Sequence, residues 1–509
     1  RATSAPCAAR SRGCCARRGA SAVLDGLLRA TAARHPERTA IVQGERRISW
    51  RDLAARVAAL AGRLEAAAIR PGDRVGLVMP NAPEFAVAFF AIARARAVAV
   101  PLNPTLSPGE IAGSLLRLGP VGLLAGPGTC ARLAPALDGP PPVAVPFGEP
   151  ETDAAEPGEP RAPFAGDVLV QASSGSTGLA KCVCRSQANL AAEADGFGDA
   201  AGVGPSDVIL GAPPLFHAHG LANALLAAVR AGATLVLLDR PPADDAPDPP
   251  FALRCGEVLD VLEREGVTLL PGVPFMFDAL AVTGRRTKAD LSKLRLAFSA
   301  GNFLPERTYQ RFREAFGVEV HQLYGCSEAG AVTLNLESPE KTGWYSVGRP
   351  LPGMEIEAPG TGSEIRIRSA ALGRYLEGDT CDAEGWFATG DLGRIDEAGR
   401  LWITGRTKLF IDSGGQKVDP VEVEDTLVAH PDVREAAVVG VPDPRRGEEI
   451  RAFVVAERPV APQALVAHCR ERLAPFKVPR RVELRDALPR SPLGKLLRGR
   501  LIASEDDPA

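Results

Sequence analysis

The chain has 509 residues, 45% hydrophobic and 24% charged, and sets 59 Lys plus Arg against 62 Asp plus Glu for a formal net charge of −3. At roughly 150 residues per domain this length predicts two to four domains with a substantial core, and the near-neutral balance gives no global field for nucleic acid or anionic membrane. Ten cysteines are too sparse for a disulfide scaffold, and none are paired at the C-x-x-C spacing of a zinc site.

In chain order, the first twenty residues, RATSAPCAARSRGCCARRGA, carry Arg but no acid and show no apolar periodicity. Residues 1–20 are therefore expected to be a disordered or artefactual extension outside the fold. From Ser21 helical and strand signals alternate. SAVLDGLLRATAARHP places Leu24, Leu27 and Leu28 at helical spacing and ends at Pro36, and WRDLAARVAALAGRLEAAAI reads as a longer helix of the same kind. RVGLVMP and AVAVPLN read as buried strands around a helical PEFAVAFFAIARA, and VGLLAG, DVLVQA, DVILGAPP, ATLVLLD, VTLLPGVP and LRLAFSAG continue the repeat. This alternation predicts an α/β architecture with substantially parallel sheet. Two Pro-rich stretches, 139–163 and 241–250, read as surface loops because the pattern resumes after each. Between about 355 and 411 the texture changes to short alternating runs, EIEAPG, SEIRIRS, GWFATGD and RLWITGR, as in an antiparallel β region. A compact α+β segment follows Gly415. Glu84, Arg94, Arg96 and Arg230 interrupt the best apolar stretches, so no membrane span is expected and a cytoplasmic location is.

The most informative segment is VLVQASSGSTGLAKCV, where a strand runs into a Ser/Thr/Gly loop followed by Lys181. Gly175 and Gly178 let backbone N–H groups converge on an anion, Ser173, Ser174, Ser176 and Thr177 add hydroxyls, and Lys181 adds a point charge. The spacing does not fit the Walker P-loop. Taken alone, such a loop is more often a plain surface turn.

The remaining motifs place it in context. SSGSTGLAK resembles the phosphate-binding signature of the ATP-dependent, AMP-forming adenylating enzymes, the superfamily of acyl-CoA synthetases, free-standing adenylation domains and luciferases. PLFHAHGL (214–221), YGCSE (324–328), GWFATGD (385–391), GRTKLFIDSGGQKVDPVEVE (405–424) and LPRSPLGK (488–495) resemble that family's further motifs in their order. The resemblance runs from about Ser21 to Leu501. It implies a large N-terminal AMP-binding domain of α/β layers plus a β region (21–407), a small mobile α+β C-terminal domain (408–502) and a tail (503–509).

The resemblance also implies a reaction: a carboxylate attacks the α-phosphorus of ATP, giving acyl-adenylate and pyrophosphate, and CoA then takes the acyl group. Charge accumulates on phosphate oxygens, so donors and cations matter more than a general base. By position in the motifs, Ser173 to Gly178 and Lys181 would hold the phosphates, and Thr177 and Glu328 would bind Mg²⁺. Gly301, Asn302 and Phe303, with Tyr324, Gly325 and Ser327, would surround the nucleotide, Asp391 would accept the ribose hydroxyls, and Arg406 would support ribose or phosphate. Lys495 would be the adenylation lysine, Lys408 the hinge, Ser413, Gly414 and Gly415 the thiol channel, and His217 the gate of the acyl pocket. The bland alternatives are a solvated Glu328 or Lys495, a surface Asp391–Arg406 pair and a packed interior His217. Ala180, Cys182, Asn302, Phe303, Arg96 and Leu409 depart from the common family residues, and none removes a charge needed for the chemistry.

The resulting expectation is an AMP-forming acid–thiol ligase using ATP, Mg²⁺ and CoA, with no nucleic-acid partner. Alternatives are a carrier-protein ligase or stand-alone adenylation enzyme, and a non-catalytic nucleotide-binding relative. PLFHAHGL has no carboxylate to pair a substrate ammonium, which disfavours amino acids. Arg307, Arg311 and Arg313 read as a solvated helix face rather than a dicarboxylate site. Phe275, Phe277, Phe298 and Ala300 are apolar pocket candidates, so the expected acid has a neutral tail, with aliphatic chains favoured over aryl acids because FHAHG resembles the fatty-acid members.

Overall fold

The computed structural model describes residues 24–137, 143–144, 166–172, 181–240 and 249–503, apart from 107, 250, 288, 345, 361, 407–410, 414–415, 444–446, 474 and 491–495. All structural statements concern these residues. The expected strands form where apolar, β-branched runs lie between turn residues: RVGLVMP gives Arg74–Val78, DVLVQA gives Asp167–Ala172 and LRLAFSAG gives Leu296–Ser299.

Three sheets result. In the first, Thr39–Gln43, Thr234–Leu237, Val208–Leu210, Leu269–Gly272, Leu296–Ser299 and Val320–Cys326 pair parallel in that spatial order. The sheet then turns antiparallel at Gly330–Leu334 and continues through Ser346–Pro350, Leu401–Arg406, Phe387–Ile395, Ser363–Ser369 and Met354–Glu357, the β region legible near 355–411. The second sheet carries Val98–Leu102 between Arg74–Val78 and Asp167–Ala172, with Cys182–Ser186 and Arg374–Tyr375 added antiparallel at one edge. Helix Pro83–Arg94 is buried at every residue, as expected of an element covered on all sides; between Phe85 and Ala93 its sequence is apolar all round, and the charges at its ends, Glu84 and Arg94, are paired with Arg46 and Asp25. A third sheet is built from residues after 410, with its own helices Pro420–Val428 and Pro462–Arg470 and its own apolar core around Val423, Val438, Val454 and Leu465. The chain is thus α/β with a large N-terminal domain and a separate small C-terminal domain. No helix among the described residues is long and apolar enough to cross a membrane.

Two sequence expectations are corrected. Arg307 and Arg311 do not simply face solvent. From helix Glu306–Phe316, Arg307 pairs with Glu457 and donates to the Val433 carbonyl at 3.3 Å, and Arg311 lies 3.8 Å from Glu457 and 3.2 Å from Asp278, so both reach the small domain. Arg313 pairs with the exposed Glu340 and stays on the surface. Phe275 and Phe277 do not line one pocket with Phe298: Phe277 packs edge-on against Phe312 (5.2 Å), Phe275 against Phe251 (5.9 Å), and Phe298 and Ala300 belong to a different core cluster.

The principal internal tie is ionic. Arg185, on strand Cys182–Ser186, and Glu193, on helix Gln187–Ala200, meet at 2.6 Å with side chains 2% and 1% exposed. Glu193 also accepts from the Ala331 amide (3.0 Å), and Arg185 donates to the Ala371 carbonyl (3.0 Å). Gly330, at φ +71°, has no alternative: a Cβ there would sit 1.7 Å from Glu193 Oε1. Removing one partner of such a pair strands a buried charge. Glu193→Gln is expected to lose about 3–5 kcal/mol of stability in urea unfolding monitored by tryptophan fluorescence, and a loss below about 1 kcal/mol would show the pair to be dispensable.

Candidate functional site

The candidate site lies where the parallel strands Leu269–Gly272, Leu296–Ser299 and Val320–Cys326 end, the edge at which open α/β sheets bind ligands. Strand Val320–Cys326 delivers Tyr324 and Gly325, and the turn into Gly330–Leu334 delivers Ser327 and Glu328. Tyr324 Oη donates to Asp391 Oδ2 at 2.7 Å. Burial first, then the Asp391 charge, raises the Tyr324 phenol well above its usual range, so it stays a donor. Asp391 stands directly opposite Arg406 in the pairing of Phe387–Ile395 with Leu401–Arg406, so the backbone brings these two expected residues together.

Glu328 is nearly buried, and its Oε1 accepts from Tyr375 Oη at 2.9 Å. Lys181 Nζ lies 4.2 Å from the centre of the same tyrosine ring, so one side chain connects the two expected charges. The pairing of Arg374–Tyr375 with Cys182–Ser186 fixes this, placing Tyr375 opposite Val183. Burial, then the Glu328 carboxylate, raises the Tyr375 phenol. Cys326 between the motif residues is a thiol, its pKa raised well above normal by burial and then by Glu328.

Gly301 takes φ +78°, which glycine allows at low cost, and the exposed Asn302 accepts from the Phe303 amide at 3.0 Å, closing the turn beyond Leu296–Ser299. His217 caps the short helix Ala218–Gly220, its Nδ1 accepting from the His219 amide at 3.3 Å. Gln171 Nε2 donates to the Phe216 carbonyl at 2.9 Å, tying the FHAHG segment to the strand that leads into residue 173. Asn81 clamps the same segment through the Gly211 and Pro213 carbonyls and the Leu215 amide. His219 Nε2 donates to the Gly272 carbonyl (3.1 Å), Asn223 donates to its Nδ1 (2.9 Å), and the ring meets Phe298 edge-on at 5.9 Å.

The structure therefore joins Lys181 to Glu328 through Tyr375, and Tyr324 to Asp391 directly, the two carboxylates being linked along strand Val320–Cys326, with Gly301–Phe303 following the end of Leu296–Ser299. Ser173, Ser174, Gly175, Ser176, Thr177, Gly178, Lys408, Gly414, Gly415 and Lys495 lie outside the described residues. For Arg406 and Ser413 only the strand positions are described. Tyr375, Gln171, Asn81 and Asn223 were missed by sequence reasoning. Gln171 had a signal, a polar residue inside the apolar VLVQA; Tyr375 had none, because its partners arrive through sheet pairing.

Magnesium suits this arrangement. Among the described residues no cluster of three or more His, Cys, Asp or Glu could cage a metal, but Glu328 offers a hard carboxylate whose second oxygen accepts no hydrogen bond from them. One protein carboxylate with phosphate and water oxygens is the usual way to hold Mg²⁺ beside a nucleotide.

Comparison with known proteins bears on the same residues. A family model described as AMP-binding enzyme matches residues 28–365, and one described as AMP-binding enzyme C-terminal domain matches 422–495. A feruloyl-CoA synthase from an Amycolatopsis species is 35% identical over 91% of this chain and 95% of its own length. ATP-bound MatB from Rhodopseudomonas palustris superimposes with a TM-score of 0.83 at 28% identity, covering 96% of this chain and 99% of the other. O-succinylbenzoate CoA synthetase from Bacillus subtilis, in complex with ATP and a magnesium ion, superimposes with a TM-score of 0.79 at 29% identity, covering 93% and 98%.

One pH effect follows from His219. Burial, then the neighbouring His217, lowers its pKa from 6.5 to about 4. The unfolded chain binds this proton below about 6.5 and the folded chain only near 4, so the contribution to stability is full above 6.5 and is lost as pH falls toward 4. Thermal unfolding midpoints measured from pH 7 to 4 should fall more steeply for the wild type than for His219→Gln. Equal slopes would remove His219 from the acid response.

Proposed function

We propose, from the premise that this chain belongs to the family of AMP-binding enzymes, how its own residues carry its reaction and which acids it takes. It is an ATP-dependent acid–CoA ligase with a carboxylic acid, ATP and CoA as substrates and magnesium as cofactor. The acid's carboxylate displaces pyrophosphate from ATP to give acyl-AMP, and the CoA thiol then displaces AMP to give the thioester.

In this reading the loop Ser173–Gly178 and Lys181 hold the phosphates, and Glu328 with Thr177 holds the metal, which when bound offsets phosphate charge. Tyr375 orients Glu328 by donating to one of its oxygens, leaving the other for the metal. Asp391 takes the ribose hydroxyls, with Tyr324 fixing its carboxylate and Arg406 beside it. Gly301, Asn302 and Phe303, with Gly325 and Ser327, flank the base. Lys495 neutralises charge on the α-phosphate and attacking carboxylate, the 408–502 segment swings about Lys408, and Ser413, Gly414 and Gly415 line the thiol's approach. The observation that carries the reading is the pair of tyrosine–carboxylate hydrogen bonds, Tyr324–Asp391 and Tyr375–Glu328, which hold two acidic groups at fixed positions on one sheet edge. A cytoplasmic location belongs to the same reading and is supported by near-neutral charge and free thiols.

The acid is neutral-tailed. The rings beside the FHAHG segment are apolar or neutral: Phe298 packs on Phe197 at 5.4 Å and meets His219 at 5.9 Å, and His219 is uncharged at neutral pH. Sequence resemblance favoured aliphatic tails; this ring cluster, and likeness to a feruloyl-CoA synthase, support aryl acids instead.

Pyrophosphate release across aryl, aliphatic, dicarboxylic and amino acids, with and without CoA, tests this. Release strongest with aryl acids is expected, and release confined to malonate or an amino acid would overturn the tail assignment. Lys495→Ala should abolish adenylate formation yet spare thioester formation from supplied acyl-AMP, because its charge acts in the first transition state; equal loss of both steps would refute its role. Tyr375→Phe should raise the Mg²⁺ needed for half-maximal rate about tenfold, as expected for one hydrogen bond to a charged group, while an unchanged magnesium titration would place Tyr375 outside metal binding.

A further inference from the structure

The position of Tyr375 is set by backbone rather than by its own side chain. Strand Arg374–Tyr375 is only two residues long, yet its register places Tyr375 opposite Val183, and the Leu376 amide donates to the Cys182 carbonyl at 2.8 Å. The Tyr375 amide donates to Thr380 Oγ1 at 2.6 Å, and the ring meets Phe387 edge-on at 6.4 Å. Lys181 lies two residues before Val183, which makes it the diagonal cross-strand neighbour of Tyr375, a gap that a long side chain and an aromatic ring can bridge. The ammonium accordingly rests on the face of the ring, 4.2 Å from its centre, while the hydroxyl at the ring's edge donates to Glu328 at 2.9 Å.

Two opposite charges thus touch one side chain without touching each other. An exposed ammonium and a nearly buried carboxylate that share a neighbour attract, and the attraction strengthens as the carboxylate loses water. A direct pair between them would have to open before the ammonium could meet a phosphate or the carboxylate a metal. A cation on the face of an exposed ring is a weaker attachment than such a charge-assisted pair. The phenol, which burial keeps protonated, occupies one carboxylate oxygen and leaves the other. Both charges are therefore ordered but not spent on each other.

We propose that Tyr375 acts as a spacer, its ring holding Lys181 off Glu328 so that phosphate and Mg²⁺ meet two separate charges instead of a salt bridge. The inference rests on the reading of Lys181 as a phosphate ligand and Glu328 as a metal ligand. It makes Tyr375 a positioning residue with two separable parts: the hydroxyl orients Glu328, and the ring keeps the charges apart.

The test compares Tyr375→Phe, which keeps the ring, with Tyr375→Leu, which does not, each alone and combined with Lys181→Met in the full-length protein. Mn²⁺ affinity is read from the electron paramagnetic resonance signal of the free ion at saturating α,β-methylene-ATP, an analogue that cannot react. Tyr375→Leu should bind Mn²⁺ about tenfold more weakly than Tyr375→Phe, the effect of one contact to a charged group. Lys181→Met should recover that tenfold in the Leu background and not in the Phe background, because only there has the lysine captured Glu328. Equal affinities of the Leu and Phe variants, or the same effect of Lys181→Met in both backgrounds, overturn the spacer. Glu328→Gln in the otherwise wild-type chain should weaken Mn²⁺ binding; if it does not, the metal reading of Glu328 fails, and the inference with it. A second readout needs no change at Tyr375, and decides alone if Tyr375→Leu loses its native circular dichroism spectrum. Lys181, isotope-labelled by reductive methylation and assigned by its loss in Lys181→Met, should show an upfield ring-current shift in its nuclear magnetic resonance signal that Glu328→Gln leaves in place. A signal without that shift, or one that Glu328→Gln abolishes, overturns the inference.

Discussion

The Arg185–Glu193 pair is the constraint on which the site's geometry rests. It lies between the second sheet and helix Gln187–Ala200, and its spare hydrogen bonds reach the two backbone segments that carry Glu328 and Tyr375. Through the Ala331 amide, Glu193 fixes the start of Gly330–Leu334, directly after Glu328. Through the Ala371 carbonyl, Arg185 fixes the loop that leads to Tyr375, where Gly373 also donates to the Glu328 carbonyl at 2.8 Å. Glu328 and Tyr375 are thus referenced to the same buried charges, although 47 residues separate them. A hydrophobic contact of similar size would have supplied comparable stability but no such directional specification.

Around this frame the ionisable groups are held in chosen states by burial. Tyr324, Tyr375 and Cys326 keep their protons because ionisation would place a second negative charge beside Asp391 or Glu328 in a poorly solvated setting. His219 is kept neutral by the same desolvation acting on the opposite charge type. Phenols that stay protonated can only donate to the carboxylates beside them, so the two acidic groups are oriented by these hydrogen bonds.

Much of this was legible in the sequence. The strands, the change to antiparallel texture near residue 355 and the separate α+β segment follow from apolar periodicity and turn residues. YGCSE and GWFATGD located Tyr324, Glu328 and Asp391 because each motif is contiguous. What failed required knowledge of the third dimension. Tyr375 meets Glu328 and Lys181 only because an edge strand pairs there. Phe275 and Phe277 were grouped with Phe298 by apolar character, yet the winding of helix Pro274–Thr287 carries them into packing on Phe251 and Phe312. Arg307 and Arg311 sit on a polar helix face, and no local pattern reveals that another domain meets it.

That meeting is made with charge at partly exposed positions: the side chains of Arg307, Arg311 and Glu457 retain 34%, 24% and 40% of their exposure. Contacts of this kind are worth about 0–1 kcal/mol each and weaken as salt rises. They set direction strongly and adhesion feebly, as a magnet on a door does compared with a bolt. The small domain carries its own core, so these contacts orient it against helix Glu306–Phe316 without being needed to hold it folded.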